Sequence, residues 1–273
     1  MRRDFSPLLQ TRALLAAAAL LVALTATSAP RIAIAQGAHE AIAERALPFA
    51  VGDTLTFSAR VSKFGRVGKA VMWVDGPSEL RGVEAWVLHF DFSARVGPVK
   101  AEDRTESWID ARTMATLRFH KHERHPLSRH DERVELFPAE HRWQSADGTS
   151  GTSESAAPLD ELSFMFFLRT LPLDVDTTFV FERHFDPARN PTIVKVVGRE
   201  TVATGAGEFR VVRLEMRVRD PRRYKGEGVI RIDLTDDARR LPVRIESAMP
   251  RIGTAVLTLD SSVSGPRGLL AHR

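Results

Sequence analysis

Hydrophobic and polar residues alternate along most of this chain. In the segment 54–61 the odd positions are apolar, and in 212–218 the even positions are apolar while charged residues stand between them. Successive side chains of a strand point to opposite sides, so this pattern is typical of antiparallel strands with one face on a core and one in water. About thirteen such segments, separated by turn residues, predict a mainly β protein.

One segment, 160–170, departs from the alternation and predicts a helix. Asp160 and Glu161 stand where a helix start favours acceptors and negative charge, Arg169 stands near the end, and Pro172 follows. The body of this segment is apolar almost all the way round, which is typical of a buried helix. We therefore expect one large, curved antiparallel sheet, a half-open barrel or sandwich, with one buried helix around residues 160–170.

The strands predict a single β-rich domain over residues 47–263. Within it, the segment 145–158 is rich in Ser, Gly, Thr and Ala, and we expect a mobile loop there. Residues 264–273 are predicted to form a disordered tail.

The first 35 residues have the pattern of a signal peptide. Arg2, Arg3 and Arg12 precede an unbroken apolar run over 13–24, which is shorter than the roughly 20 residues that span a bilayer. The best small-x-small cleavage site ends at Ala35. Residues 36–46 would then be a flexible lead-in, and we expect a periplasmic or secreted protein without a transmembrane segment in the mature chain.

The charge of the chain argues against nucleic acid as a partner. The formal net charge is +4 over 273 residues, and the predicted signal peptide carries three of those positive charges. A basic stripe with interleaved aromatic residues is also missing from the sequence. The chain has no Cys, which excludes disulfides, thiol nucleophiles, cysteine metal sites and a lipoprotein anchor.

Aromatic residues on the predicted strands and helix are the candidates for a ligand site. A curved sheet that holds an apolar helix suggests a non-catalytic envelope protein that binds an apolar or amphipathic molecule, such as a lipid, between sheet and helix. The candidate lining residues are Trp86, Phe90, Phe164, Phe166 and Phe167. The same residues also fit plain core packing.

A second hypothesis is a metal- or carboxylate-dependent hydrolase. His120 and His122 would point to the same side of a strand, where two imidazoles can ligate zinc or copper. The surrounding tract, up to His130, is rich in Lys and Arg, which disfavours a bound cation. Glu102 and Glu106 also share a strand face and form a candidate acid–base pair, although a ladder of salt bridges explains them better.

No nucleophile elbow, Walker loop or dinucleotide-binding glycine motif occurs in the sequence. We therefore predict no catalytic residue and no cofactor. The third hypothesis is an interaction module that docks to another envelope protein through an edge strand.

Six short motifs follow one another between Pro48 and Leu259. They are PFAVGDTLTF at 48–57, two glycines at 65 and 68, ESWID at 106–110, DELS at 160–163 with LR at 168–169, VGRE at 197–200 with GEF at 207–209, and DDARRLPV at 236–243. In order and spacing they resemble the exported bacterial family called domain of unknown function 3108. The resemblance implies an exported β-rich domain, and it assigns no activity because the family's function is unknown. The chain departs from it at 232–234, where the family commonly has a strand with a Trp.

Overall fold

The computed structural model describes residues 31–34, 47–126, 128–220, 226–249 and 253–265. Most of the predicted signal peptide, the whole lead-in 36–46 and residues 266–273 of the predicted tail lie outside these ranges. No helix within the described ranges combines the length and the hydropathy that crossing a membrane requires.

Fifteen strands form one sheet in the described part of the chain. They are β1 (Arg31–Ile34), β2 (Thr54–Val61), β3 (Gly65–Leu80), β4 (Val83–Val96), β5 (Val99–Asp110), β6 (Thr116–His125), β7 (Ser128–Phe137), β8 (Arg142–Ser145), β9 (Ser150–Thr152), β10 (Thr177–Phe181), β11 (Thr192–Thr204), β12 (Gly207–Arg219), β13 (Glu227–Thr235), β14 (Pro242–Met249) and β15 (Gly253–Val263). The mainly β prediction is confirmed.

The sheet is open and almost wholly antiparallel. Its order runs from β1 and β10 through β15, then from β2 to β9, and the two edge strands β1 and β9 are not paired with each other. All neighbours are antiparallel except β1, which pairs parallel to β10. The pairing of β15 with β2 places Val263 opposite Thr54 and joins the two halves of the sheet.

Helix α1 (Glu161–Phe167) is the one α-helix of the described residues, and a single 3-10 turn over 168–170 extends it. Asp160 is its N-cap and accepts hydrogen bonds from the backbone N–H groups of Leu162 and Ser163. The Ser163 hydroxyl in turn accepts the N–H of Asp160 at 2.9 Å, which completes a capping box. The predicted helix is confirmed, including its start.

The sheet curves around α1, so that both halves of the sheet contribute to one core. Phe57 and Leu88 come from the first half, Leu214 and Ile232 from the second, and Phe167 from the helix; each is at most 1% exposed. In strands such as β2 and β12 the alternation predicts the faces correctly, because their inner positions are the apolar ones. In β5 and β6 the inner face also carries Ser107 and Lys121.

Two local features differ from what the sequence suggests. The segment 145–158 contains strand β9, because an Asp147 carboxylate oxygen accepts the Thr149 N–H at 2.9 Å and turns the chain back onto β8. Gly68 resembles a turn glycine in sequence, yet it lies within β3. A Cβ there would come within 1.9 Å of the Ser93 carbonyl oxygen, so Gly68 allows β3 and β4 to approach closely.

Candidate functional site

A cavity of about 150 Å³ lies between helix α1 and one end of the sheet, where β11 begins, β12 ends and β13 begins. We call it the α1 cavity. Its apolar wall consists of Phe164, Met165, Met216, Val218 and Ile230. Its polar lining consists of Asp160, Glu161, His184, Arg189, Thr192, Arg219 and Asp220. Apolar walls with a few polar groups are the usual makeup of a small-molecule site.

Strand periodicity explains the apolar wall. Met216 and Val218 are alternate residues of β12, and Ile230 lies directly opposite Met216 on β13. Phe164 and Met165 come from the first turns of α1, where Phe164 also packs edge-on against Phe181. The wall is thus built by two strands and the helix, which fix its shape.

Two buried cations hold Glu161 at the polar side of the cavity. Lys121 Nζ and Arg189 Nη1 each lie 2.5 Å from a Glu161 carboxylate oxygen. The side chains of Lys121 and Arg189 are only 5% and 9% exposed, so solvent screens these pairs little. Arg219 donates to the Asn190 carbonyl oxygen at 2.9 Å, which positions its guanidinium at the same rim.

Asp160 is fully buried beneath this rim. Its carboxylate accepts the Thr116 hydroxyl at 2.7 Å and the Ser107 hydroxyl, in addition to the two helix N–H groups. Burial raises the pKa of Asp160, and the hydrogen bonds from Ser107, from the helix N–H groups and from Thr116 oppose that rise. The carboxylate therefore serves to hold α1 on β5 and β6.

His184 is a buried histidine of the cavity lining, and one of its ring nitrogens lacks a hydrogen-bond partner in the described part of the chain. Its Nδ1 accepts the Asp186 N–H at 3.0 Å, which puts the proton of the neutral ring on Nε2. Within the described residues, Nε2 is buried and has no hydrogen-bond partner. Burial, and to a smaller degree the charge of Arg189, lowers the pKa of His184 to about 3. The ring is a neutral donor at physiological pH.

The buried His184 should make the protein less stable in acid. Its pKa is near 6.5 when unfolded and about 3 when folded, so between these values the unfolded chain binds more protons and stability falls as the pH falls. We expect the free energy of unfolding to drop by about 2 kcal/mol from this group between pH 7 and pH 5. Urea titrations at both pH values should show that His184→Gln removes that drop.

His122→Gln is the matched control, because the His122 side chain is 39% exposed and pairs with Asp131 on the surface. Its free energy of unfolding at pH 7 should stay within about 0.5 kcal/mol of the wild type, which controls for the His-to-Gln exchange itself. An unchanged drop in His184→Gln would contradict a buried neutral imidazole at this position.

Only one of the five predicted lining residues, Phe164, lines the α1 cavity. Phe166 and Phe167 are 3% and 0% exposed and belong to the core. Trp86 and Phe90 are partly buried and pack against the same core, where Trp86 meets the Phe49 ring edge-on. Sequence reasoning missed His184, Arg189 and the β12 and β13 residues.

The predicted metal pair lies on the outer face of the sheet, away from the α1 cavity. His122 Nδ1 is 3.2 Å from Asp131, and His120 Nδ1 is 3.9 Å from Glu106. Burial lowers the pKa of His120, and Arg118 adds to this effect. Among the described residues, no three His, Asp or Glu side chains converge on one point as metal ligands would. The metal site stays a prediction.

His122 and Glu102 also line a larger groove of about 580 Å³ on this outer face. Several of the charged groups in it pair with each other or with close neighbours: Arg104 with Asp91 at 3.2 Å, and Glu102 with Lys100 at 2.5 Å. Glu106, the other half of the predicted acid–base pair, lies beside His89 at 3.5 Å. The groove therefore has the makeup of a salt-bridged strand surface.

The sequence pattern of the family described as protein of unknown function DUF3108 matches residues 54–260. The chain belongs to this family. No curated protein matches the chain.

Among three solved structures that align with the DUF3108 chain, one has a TM-score above 0.5 and resembles it in fold. A β-barrel-like protein of domain of unknown function DUF1849 from Brucella abortus has a TM-score of 0.53 and 11% identity, over 80% of this chain and 99% of that one. A protein from Bacteroides fragilis described as exported, with a YmcC-like fold, has a TM-score of 0.30 and 13% identity, over 80% and 98%. A protein from Parabacteroides distasonis described as a lipoprotein has a TM-score of 0.31 and 10% identity, over the same shares.

Residues of the DUF3108 motifs meet at helix α1. Ser107 of the ESWID motif hydrogen-bonds to Asp160 of the DELS motif. Arg169 is 4% exposed and donates to the Pro48 carbonyl oxygen at 2.9 Å and to the Arg239 carbonyl oxygen at 3.0 Å. These contacts tie the first and last motifs to the helix, so the motif residues position α1 against the sheet.

Proposed function

We propose that this DUF3108 protein is exported to the cell envelope and binds an amphipathic small molecule in the α1 cavity without catalysing a reaction. The observation that carries the proposal is the cavity itself, whose lining combines five apolar side chains with His184, Arg189 and Arg219. The apolar run over 13–24 after the N-terminal arginines supports export.

The cavity volume suggests how much of the ligand enters. A cavity of about 150 Å³ accommodates an apolar group of about the size of a benzene ring. A larger ligand would therefore insert one ring or a short acyl segment and leave its polar part at the rim. Arg189 and Arg219 in the cavity lining supply donors for an oxygen acceptor in that polar part.

The polar groups at the rim support a binding role over a catalytic one. Glu161 is held by two cations, and the Asp160 carboxylate accepts four hydrogen bonds. A general base needs to reach substrate with an available lone pair. Both carboxylates are instead engaged in holding the helix.

The test is native mass spectrometry of the protein, expressed as the full chain and purified from the envelope fraction. We expect a small-molecule adduct that organic solvent removes. Ile230→Trp should fill the cavity, and loss of one buried apolar group of the ligand would weaken binding about tenfold or more. The adduct should accordingly disappear from the spectrum of this variant.

Val197→Trp is the control, because Val197 lies on β11 and is 45% exposed. It should keep the adduct, and circular dichroism should show both variants folded. A wild-type protein without an adduct, or an adduct that survives Ile230→Trp, would overturn the proposal.

A further inference from the structure

Three neighbouring hairpins have their turns at the same end of the sheet. They connect β2 to β3, β4 to β5 and β6 to β7, and the pairs Gly68–Ala94 and Glu102–Arg124 show that their ends are nearly level. We call residues 61–66, 94–100, 124–126 and 128–130 the tip surface. It lies on the half of the sheet opposite to β12 and β13, and none of its residues lines the α1 cavity.

The tip surface exposes large apolar side chains. Phe64, Val96 and Val99 are 50%, 37% and 47% exposed. Val96 and Val99 lie directly opposite each other and continue the inner face of β4 and β5 beyond Ala94. Ala94 itself packs against a small buried cluster formed by Ala59, Val61 and Val67. Apolar surface thus extends from the interior to the rim, where it meets solvent.

The same residues are strongly cationic. The tip surface contains six Lys or Arg residues and no Asp or Glu: Lys63, Arg66, Arg95, Lys100, Arg124 and Arg129. Two of them pair with carboxylates just outside it, Lys100 with Glu102 at 2.5 Å and Arg66 with Asp260 at 3.5 Å. Arg95 and Arg129 are exposed at the turns themselves. The opposite end of these strands differs, since Glu79, Glu84, Asp110 and Glu140 lie in or beside its turns. Arg81, Arg112 and Arg142 balance these acidic residues, so the excess of positive charge lies at the end that also exposes the apolar side chains.

We propose that the tip surface adsorbs to an anionic lipid bilayer. Exposed apolar side chains with cations around them match a membrane interface, in which the apolar groups enter the acyl boundary and the cations meet lipid headgroups. Each Lys or Arg near an anionic surface contributes about a fivefold gain in binding. Three apolar side chains alone bind a bilayer weakly, so both components are needed.

Co-sedimentation of the purified protein with large vesicles tests this proposal. We expect binding to phosphatidylcholine vesicles that contain phosphatidylglycerol, little binding to pure phosphatidylcholine, and weaker binding as salt is raised. Arg95→Gln combined with Arg129→Gln should weaken binding about fivefold for each cation removed. Val96→Ser combined with Val99→Ser should weaken it about tenfold or more.

Matched controls exist at other exposed positions. Val175 and Val263 are 39% and 62% exposed, so their double Ser variant should bind like the wild type. Arg112→Gln with Arg210→Gln removes two exposed cations from the opposite end and should have little effect. The measurement needs no cavity ligand, so it can fail while the proposed function stands.

Three outcomes would overturn the proposal: equal binding to both vesicle types, equal losses in tip and control variants, or no binding at all. Analytical ultracentrifugation tests whether a second copy of this chain binds the tip surface instead. If the Val96 and Val99 variants separate a dimer into monomers without changing vesicle binding, the tip surface is a contact between copies of this chain.

Discussion

Replacing Asp160 by Ala should lower the free energy of unfolding by about 3–5 kcal/mol. The substitution removes the N-cap of α1, which contributes about 0.5–2 kcal/mol. It also leaves the buried Ser107 hydroxyl without the carboxylate that accepts it, and a buried group left unsatisfied costs about 1–3 kcal/mol. Thr116 loses the same acceptor but keeps the Ser163 hydroxyl at 2.9 Å. Urea denaturation followed by circular dichroism measures the change.

Asp160→Asn separates the two contributions. Its side-chain oxygen can still accept the N–H groups of Leu162 and Ser163, while its amide meets the two hydroxyls. We therefore expect a smaller loss than for Ala. Asp147→Ala, at an exposed turn, should change stability by less than about 1 kcal/mol. A loss of that size for Asp160→Ala would show that the buried network does not anchor the helix.

Phe167→Ala should destabilise the fold by about 3–5 kcal/mol. Phe167 is fully buried, its ring centroid is 5.8 Å from that of Phe164 and 5.3 Å from that of Phe181, and both rings meet it edge-on. The Arg183 guanidinium also lies 4.4 Å from the ring centroid. The substitution removes the transfer free energy of the ring and opens a cavity where helix and sheet meet, and thermal and urea unfolding should both report it.

Phe64→Ala makes the same chemical change on the tip surface, where the side chain is 50% exposed. There we expect a stability change within about 0.5 kcal/mol. Equal effects at the two positions would mean that burial of the helix aromatics does not determine stability. Phe64→Ala is therefore also a folded tip-surface variant for the vesicle experiment.

The strands and the helix could be predicted from the sequence because each depends on the pattern of residues that are close together in the chain. One-sided burial imposes alternation on a strand such as β12, and Asp160 marks the helix start by its own capping chemistry. The three-residue strand β9 could not be predicted, because its Ser, Gly and Thr composition is that of a loop.

The α1 cavity depends on contacts that no local pattern reveals. The aromatic residues of α1 and β4 are equally apolar, yet only Phe164 faces the cavity, while Phe166 and Phe167 are in the core. His184 is a lone histidine among loop residues, and its significance comes from burial by distant parts of the chain. The strand order brings β12, β13 and α1 together, and that order cannot be derived from periodicity.

The strand order of the antiparallel sheet is a cyclic shift of the chain order. In the order β10 to β15 followed by β2 to β9, each strand pairs with the strand before it and the strand after it. The pairing of β15 with β2 is the one step that the chain does not connect covalently, so it carries the largest loop-closure entropy of the sheet. The segment that carries α1 links β9 to β10 across the opening. Topologically, the antiparallel part of the domain is a run of consecutive hairpins whose first and last strands, β2 and β15, pair with each other in mid-sheet.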